Sequence, residues 1–449
     1  MIKPSIPKGT RDFGPVVVRK RNYIFQTIRE TFELFGFQPL ETPAMENLST
    51  LTGKYGEEGD KLMFKILNNG DIFPKAQQAK DNRELGTLIT EKALRYDLTI
   101  PFARYVVMNR NDLALPFKRY QMQPVWRADN PQRGRYREFY QCDADVVGSN
   151  SLLNEVELLL IYDTVLTRLG LQGYELRVNN RKILSGLAEI VGKPELLTDI
   201  TISIDKLDKI GMDGVKKELQ DRGLGEREIG LIENFLNISG DSTAKLAQLQ
   251  ELLKDSETGK KGIEELSYVI HSGLTSFNVT PIIDVTLARG LNYYTGMIVE
   301  VKAPATVKMG SIGGGGRYDD LTGLFGLPGI SGVGISFGVD RIYDVLEELQ
   351  LFPQTAQQST RVLFLNLGEA NAKTAFAHVM LLRGKGIATE LFPESTKMDK
   401  QMKYADKRGI PFVAIIGESE LQENMISIKN LQSGKQEKIN AADLAAFAF

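Results

Sequence analysis

Thiol and imidazole are scarce in this chain of 449 residues, which has one cysteine, Cys142, and two histidines, His271 and His378. An intramolecular disulfide is excluded, and a zinc site built from Cys and His is not expected. Long apolar runs are missing too. No stretch of roughly eighteen apolar residues occurs, and the opening MIKPSIPKGTRD has no segment of the signal-peptide kind, so the expectation is a cytoplasmic protein with no membrane partner. Nor does one sign of charge dominate: 55 Lys and Arg stand against 57 Asp and Glu, a formal net charge of -2. That balance excludes a global basic field for nucleic acid, and an RNA partner has to be held by local patches and by shape. Finally, no GxxxxGK[ST] segment exists, so a nucleotide is bound without a P-loop if it is bound at all.

What the chain does have is concentrated between Arg119 and Gly148, RYQMQPVWRADNPQRGRYREFYQCDADVVG. Two runs with period-two alternation, residues 120–127 and 137–147, flank a loop with Pro131 and Gly134, which predicts an antiparallel hairpin. Counting by twos puts Phe139, Gln141, Asp143 and Asp145 on one face, with Glu138, Tyr140, Cys142, Ala144 and Val146 on the other. If Arg127 pairs with an odd-numbered residue it shares the first face, which then carries a guanidinium at one end and a carboxylate at the other. Such a surface can hold a phosphate and an amine together. Charges on an antiparallel sheet ordinarily face solvent, but Trp126, Phe139, Tyr140 and Val146 place these strands deep in a domain. The loop adds Arg133, Arg135 and Arg137, and so many guanidiniums around one turn suit an anion.

Upstream, residues 16–35 have apolar side chains at helical spacing with Gly36 as a stop, and residues 37–40 read as a short strand before Pro43. Residues 68–86 are polar without an apolar period and read as a long flap between strands at 62–67 and 88–96. In LRYDLTIPFARY, Asp97 and Thr99 are two apart and would share a strand face. A buried Asp97 needs a partner, although such an Asp more often caps a helix or turn. Downstream, residues 152–169 read as a helix, 174–178 as a strand and 181–271 as a mostly helical block without clustered chemistry. ARGLNYYTG groups Arg289 with two phenols, Tyr293 and Tyr294. Gly313 to Gly316 allow backbone to approach a flat ligand, with Arg317, Tyr318 and Asp319 as the edge of a site. GVGISFGVDRIYDVL gives a buried strand at 333–337, a turn at Gly338 and a helix with Arg341 in its first turn. Residues 353–360 form a polar linker, and from Arg361 strands alternate with helices, a small α/β domain with a mostly parallel sheet.

WRADNPQRGRYREFYQ resembles the second signature motif of class II aminoacyl-tRNA synthetases, in the form found in histidyl-tRNA synthetases. GTRDF at Gly9 to Phe13, the DLT of Asp97 to Thr99, ARGLNYYTG and GVGISFGVDRIYDVL are similar to other segments of that family, so the resemblance runs over nearly the whole chain. It implies an α/β protein whose α+β catalytic domain, residues 1–180 and 272–352, is an antiparallel sheet flanked by helices. It further implies a helical insertion at 181–271 over the tRNA acceptor end, a linker at 353–360 and a C-terminal α/β anticodon-binding domain at 361–449. A homodimer built on the first long helix and strand is implied as well.

The implied reaction joins L-histidine to its tRNA by way of an adenylate formed from ATP, with Mg2+ on the phosphates and its protein ligands left open. Carried over by motif, the catalytic cations are Arg127 on the α-phosphate, Arg289 on the α-phosphate and substrate carboxylate, and Arg341 on the γ-phosphate; Arg127 and Arg289 also touch histidine. Arg135 lies near the leaving phosphates and Asp129 at the adenine end. Asp97, Thr99 and Gln141 receive the α-ammonium group, Asp145 and Tyr294 the imidazole, and Leu98 and Tyr293 complete the histidine-binding set. The family commonly has Asp where this chain has Asn292, so no role needing that charge is carried over. The chemistry itself asks for no nucleophilic side chain, because a free amino acid's carboxylate is already ionised and needs only alignment and positive charge around the phosphorus. The alternative is a histidine-binding regulatory paralogue without aminoacylation activity, which would need neither the phosphate-facing arginines nor a complete C-terminal domain.

Overall fold

Alternation in residues 117–147 becomes the centre of an eight-stranded sheet. The computed structural model describes residues 3–54, 56–272, 277–288, 293–356 and 360–449. Arg289 and Asn292 lie outside the described residues, as does part of the expected linker. The sheet's strands are β1 (Gln38–Pro39), β2 (Phe117–Trp126), β3 (Glu138–Val147), β4 (Glu175–Asn180), β5 (Ile282–Ile283), β6 (Met297–Lys302), β7 (Ser311–Tyr318) and β8 (Gly332–Gly338). Their spatial order is β1-β2-β3-β8-β7-β6-β4-β5, antiparallel throughout except for the outermost pairs, β1-β2 and β4-β5. β2 and β3 pair from Phe117 with Val147 to Trp126 with Glu138, and the Arg127 N–H donates to the Arg137 carbonyl at 3.0 Å. Odd residues therefore oppose odd residues, and Arg119, Arg127, Gln141, Asp143 and Asp145 share one face.

Helices cover the sheet because their apolar residues recur at helical spacing. α1 (Pro15–Leu34) buries Ile24, Ile28 and Phe32, with the Phe32 ring against Phe37, Tyr120 and Phe337. α2 (Thr99–Met108) follows the DLT segment, and α3 (Leu153–Arg168) buries Leu158, Ile161, Tyr162 and Val165. α4 (Val339–Glu348) starts directly after β8. Its Asp340 is tied to the start of the chain: Arg11 and Arg21 both reach Asp340 Oδ1, at 2.6 and 2.5 Å, and Arg11 also lies 3.2 Å from the centre of the Tyr136 ring. Between β4 and β5 the chain is helical from Arg181–Val191 to Glu257–His271. These two helices cross on glycine, since a Cβ on Gly186 would stand 2.6 Å from the Gly259 Cα.

The structure differs from the sequence-based expectations in several places. The polar stretch expected as a flap holds two short helices, Phe73–Ala76 and Asn82–Ile89, and the strands around it shrink to Lys65–Ile66 and Lys92–Leu94. The second helix is amphipathic enough to form, but polarity hid its short period. Asp97 and Thr99 do not share a strand; Thr99 opens α2, and Asp97 Oδ1 accepts the Ile100 N–H at 3.2 Å. The four glycines, expected to let backbone approach a flat ligand, lie inside β7.

By internal contacts the chain divides into residues 1–13 with 21–351, and residues 14–20 with 352–449. The second unit has a five-stranded sheet in which Val362–Phe364 is parallel to both Thr389–Leu391 and Phe412–Ile415. Met425–Asn430 and Gln436–Asn440 extend it antiparallel, so the sheet is mixed where a mostly parallel one was expected, and an extra helix, Glu418–Glu423, precedes the closing hairpin. No described helix is long and apolar enough to cross a membrane.

Candidate active site

Two adjoining cavities open on the polar face of β2 and β3. The deeper, of about 240 Å³, is lined by Asp97, Thr99, Arg127, Gln141, Asp143, Asp145, Tyr293, Tyr294 and Tyr318 among others. The other, of about 390 Å³, is lined by Arg127, Asp129, Arg135, Gln141 and Arg341. Arg127, Gln141, Ser311, Gly314 and Ser336 border both. Every expected site residue within the described chain lines one cavity or the other, except Leu98. Its side chain is buried in the core, and it offers the site only a carbonyl, 3.5 Å from Arg119 Nη2.

The cationic end is held by backbone. Arg127 donates from Nε to the Tyr96 carbonyl at 3.0 Å, and its guanidinium lies over the Tyr96 and Phe139 rings at 4.3 and 5.2 Å from their centres. Arg341 donates from Nε to the Gly134 carbonyl at 2.8 Å and from Nη1 to the Ser311 carbonyl at 2.6 Å. Burial first, then the charges of Arg135 and Arg127, lower the Arg341 pKa from its ordinary value. Three guanidiniums that repel each other across one cavity favour an anion between them. Arg135 is balanced for now by Asp129, 2.8 Å away.

The anionic end is buried. Asp145 Oδ2 is 2.8 Å from Arg119 Nη2, and its Oδ1 accepts from the Tyr318 hydroxyl at 2.5 Å. Asp143, one step along the same face, is hydrogen-bonded by Ser336. Two buried carboxylates thus face one guanidinium. Burial raises both pKa values and Arg119 lowers both; Asp143, without the close Arg119 contact, is pushed up to about 7. Tyr294 is raised as well, by burial and then by the charges of Asp145 and Asp143, so its hydroxyl keeps its proton and can donate.

Glycine in β7 and β8 makes the floor. A Cβ on Gly334 would stand 2.0 Å from Asp145 Oδ1, and one on Gly316 would stand 2.9 Å from the Tyr294 ring. The Tyr162 hydroxyl fastens the two strands from beneath, donating to the carbonyls of Gly314 and Ser336. Of the expected site edge, only Tyr318 lines the cavity. Arg317 is instead a buried ion pair with Glu155, 2.5 Å apart. Sequence reasoning gave no role to Arg119, Asp143 or Glu300, all of them in or beneath the deeper cavity. For Arg119 and Asp143 a signal existed, since both sit on the odd-numbered face already singled out.

A family model described as histidyl-tRNA synthetase matches residues 9–342, and one described as anticodon binding domain matches residues 361–448. The histidine–tRNA ligase of Christiangramia forsetii is 57% identical, the alignment covering 98% of this chain and 97% of that protein. That of Bacteroides fragilis is 56% identical, with 98% of each covered. The crystal structure of histidyl-tRNA synthetase from Nostoc sp. PCC 7120 aligns with a TM-score of 0.84 at 32% identity over 99% of both chains. A structure described as an ATP phosphoribosyltransferase regulatory subunit/histidyl-tRNA synthetase from Bacillus halodurans C aligns with a TM-score of 0.70 at 22% identity, covering 90% of this chain and 97% of that one, which is a likeness of fold.

Proposed function

This chain belongs to the histidyl-tRNA synthetase family, and from that premise we propose how its two cavities share one reaction. The activity is that of a histidine–tRNA ligase: ATP activates L-histidine as the adenylate with release of pyrophosphate, and histidine then passes to tRNA. In our reading the deeper cavity takes histidine and the arginine-lined one takes ATP. The observation that carries it is the single face of β2 and β3, with Arg127 toward one end and Asp145 toward the other, bordering adjoining spaces.

A histidine carboxylate oxygen attacks the α-phosphorus, a P–O bond forms, and the bond to the bridging oxygen of pyrophosphate breaks. Arg127 and Arg289 would neutralise the α-phosphate, with Arg289 also on the carboxylate, and Arg341 the γ-phosphate, with Arg135 released from Asp129 toward the leaving group. Asp97, Thr99 and Gln141 would hold the α-ammonium. Asp145, fixed by Arg119 and Tyr318, would accept from one imidazole nitrogen while the Tyr294 hydroxyl donates to the other, a pairing that excludes side chains without two ring nitrogens at that separation. In the second step a hydroxyl of the terminal ribose attacks the adenylate's carbonyl carbon and AMP leaves. Among the described residues no group of three or more His, Cys, Asp and Glu suits a metal ion, so we treat magnesium as part of the ATP substrate.

The C-terminal unit would read the anticodon, and the helices of 181–271 would lie near the acceptor end. We further propose a cytoplasmic homodimer, to be tested by sedimentation equilibrium. The regulatory alternative is not favoured, because near-complete relatives at more than half identity are ligases. Histidine-dependent ATP–pyrophosphate exchange followed by tRNA charging tests the whole reading; exchange driven equally by another amino acid would refute it.

A further inference from the structure

The polar face of β3 carries one carboxylate that this reading leaves without a task. Asp143 sits between Gln141 and Asp145, lines the deeper cavity and is 2% exposed. Asp145 has Oδ1 held by the Tyr318 hydroxyl and Oδ2 in an ion pair with Arg119, 2.8 Å away, although Oδ2 accepts no well-aligned hydrogen bond. The Oδ1 of Asp143 is buried and accepts no hydrogen bond. A buried acceptor left without a donor is costly, and at the wall of a cavity it is tolerable when the ligand brings the donor. The groups around Asp143 define what that donor is. Arg119 faces it from β2, Asp145 from its own strand, Ser336 from β8, Asp97 from the turn before α2, and Tyr294 from across the cavity. Arg119 is closely paired with Asp145, which leaves Asp143 without a close cation of its own. A cation with several N–H donors fits it.

We propose that Asp143 is a further anchor for the α-ammonium group of the amino acid, with its unpaired Oδ1 accepting an ammonium N–H beside Asp97, Thr99 and Gln141. This rests on reading the deeper cavity as the histidine site. It also makes ammonium capture depend on pH. In the empty site burial, followed by the charge of Asp145 and against the pull of Arg119, keeps a proton on Asp143 up to about 7. The ammonium takes that proton's place, so its contribution strengthens as pH rises through that range.

Histamine and 4-ethylimidazole, which share the ring and differ by the ammonium, isolate the contact when each is measured as an inhibitor of histidine-dependent exchange. Asp143→Asn is expected to raise the KM for histidine about tenfold with the KM for ATP unchanged, the loss of one hydrogen bond between charged partners. It should shrink the preference for histamine over 4-ethylimidazole by a similar factor. Once the titration of each inhibitor's own ring is divided out, that preference should grow in the wild type between about pH 6 and pH 8 and stay flat in the variant. Asp145→Asn serves as the reference and should weaken both inhibitors alike. If it changes neither inhibitor nor histidine, the reading of the cavity fails. If it weakens them while Asp143→Asn leaves the preference intact, the assignment of Asp143 alone is overturned. Should the amide variant not fold, Asp143→Ser is measured in the same way with the same two outcomes.

Discussion

On the proposed reading arginine does the electrostatic work at the nucleotide end, and its pinned geometry sets the size of the expected losses. Arg127→Ala removes a cation braced by the Tyr96 carbonyl and two aromatic rings. Exchange should fall by about two to three orders of magnitude in kcat, the usual loss for one preorganised donor at a developing charge; a smaller change in kcat with a raised KM for ATP would mean plain ground-state binding instead. Asp143 leads to a stability prediction. Its folded carboxyl titrates above the ordinary aspartate range, so the folded state holds a proton that the unfolded chain gives up. That stabilisation is complete below the unfolded value and is lost as pH climbs through about 7. Thermal melts without ligand should therefore show the wild type losing stability between about pH 4 and pH 8, with Asp143→Asn lacking that part of the slope. At this scale the motifs led to residues that line the cavities, as with Arg127, Gln141 and Arg341. The sequence was unreadable where the role depends on a distant partner. Tyr318 meets Asp145 across 173 positions, and nothing local to either residue announces the contact.

Strands were easier to read than their neighbours. Period-two alternation gave β2 and β3 to within a few residues, because one face of the pair is packed and the other is polar. The glycine run of β7 was legible as a place of close approach but not as part of a strand, since glycine in a strand normally marks a bend. Here it marks crowding. A Cβ on Gly315 would lie 2.1 Å from the Gly334 carbonyl oxygen, so Gly315→Ala has to pry β7 from β8. A loss of roughly 1–3 kcal/mol is expected, the range for overpacking, measurable by denaturant titration. Gly334→Ala acts differently, because its Cβ collides with a carboxylate held by Arg119 and Tyr318. Its expected mark is a higher KM for histidine with ATP little affected. The short helix Asn82–Ile89 escaped notice for a related reason: eight residues give too few turns for a period to stand out from polar surroundings.

For the molecule as a whole, the near-neutral charge argued against a nucleic-acid partner, yet the family carries an anticodon-binding domain. The two facts agree if recognition is divided between local surfaces of separate units. A minihelix reproducing only the acceptor end of the tRNA should then be charged with a much lower kcat/KM than intact tRNA, while histidine-dependent exchange is unchanged; equal efficiency would leave the C-terminal unit without a part in selection. The block from Arg181 to His271 was readable as helical, and its position between β4 and β5 makes it an excursion from one sheet edge. The tie between Arg11, Arg21 and Asp340 has a practical corollary. Asp340 is the residue before Arg341, so deleting the first dozen residues takes away one of the two guanidiniums that hold it and leaves Arg21 alone to balance a carboxylate beside the γ-phosphate's expected seat. A protein trimmed in this way would melt almost normally and handle ATP less well.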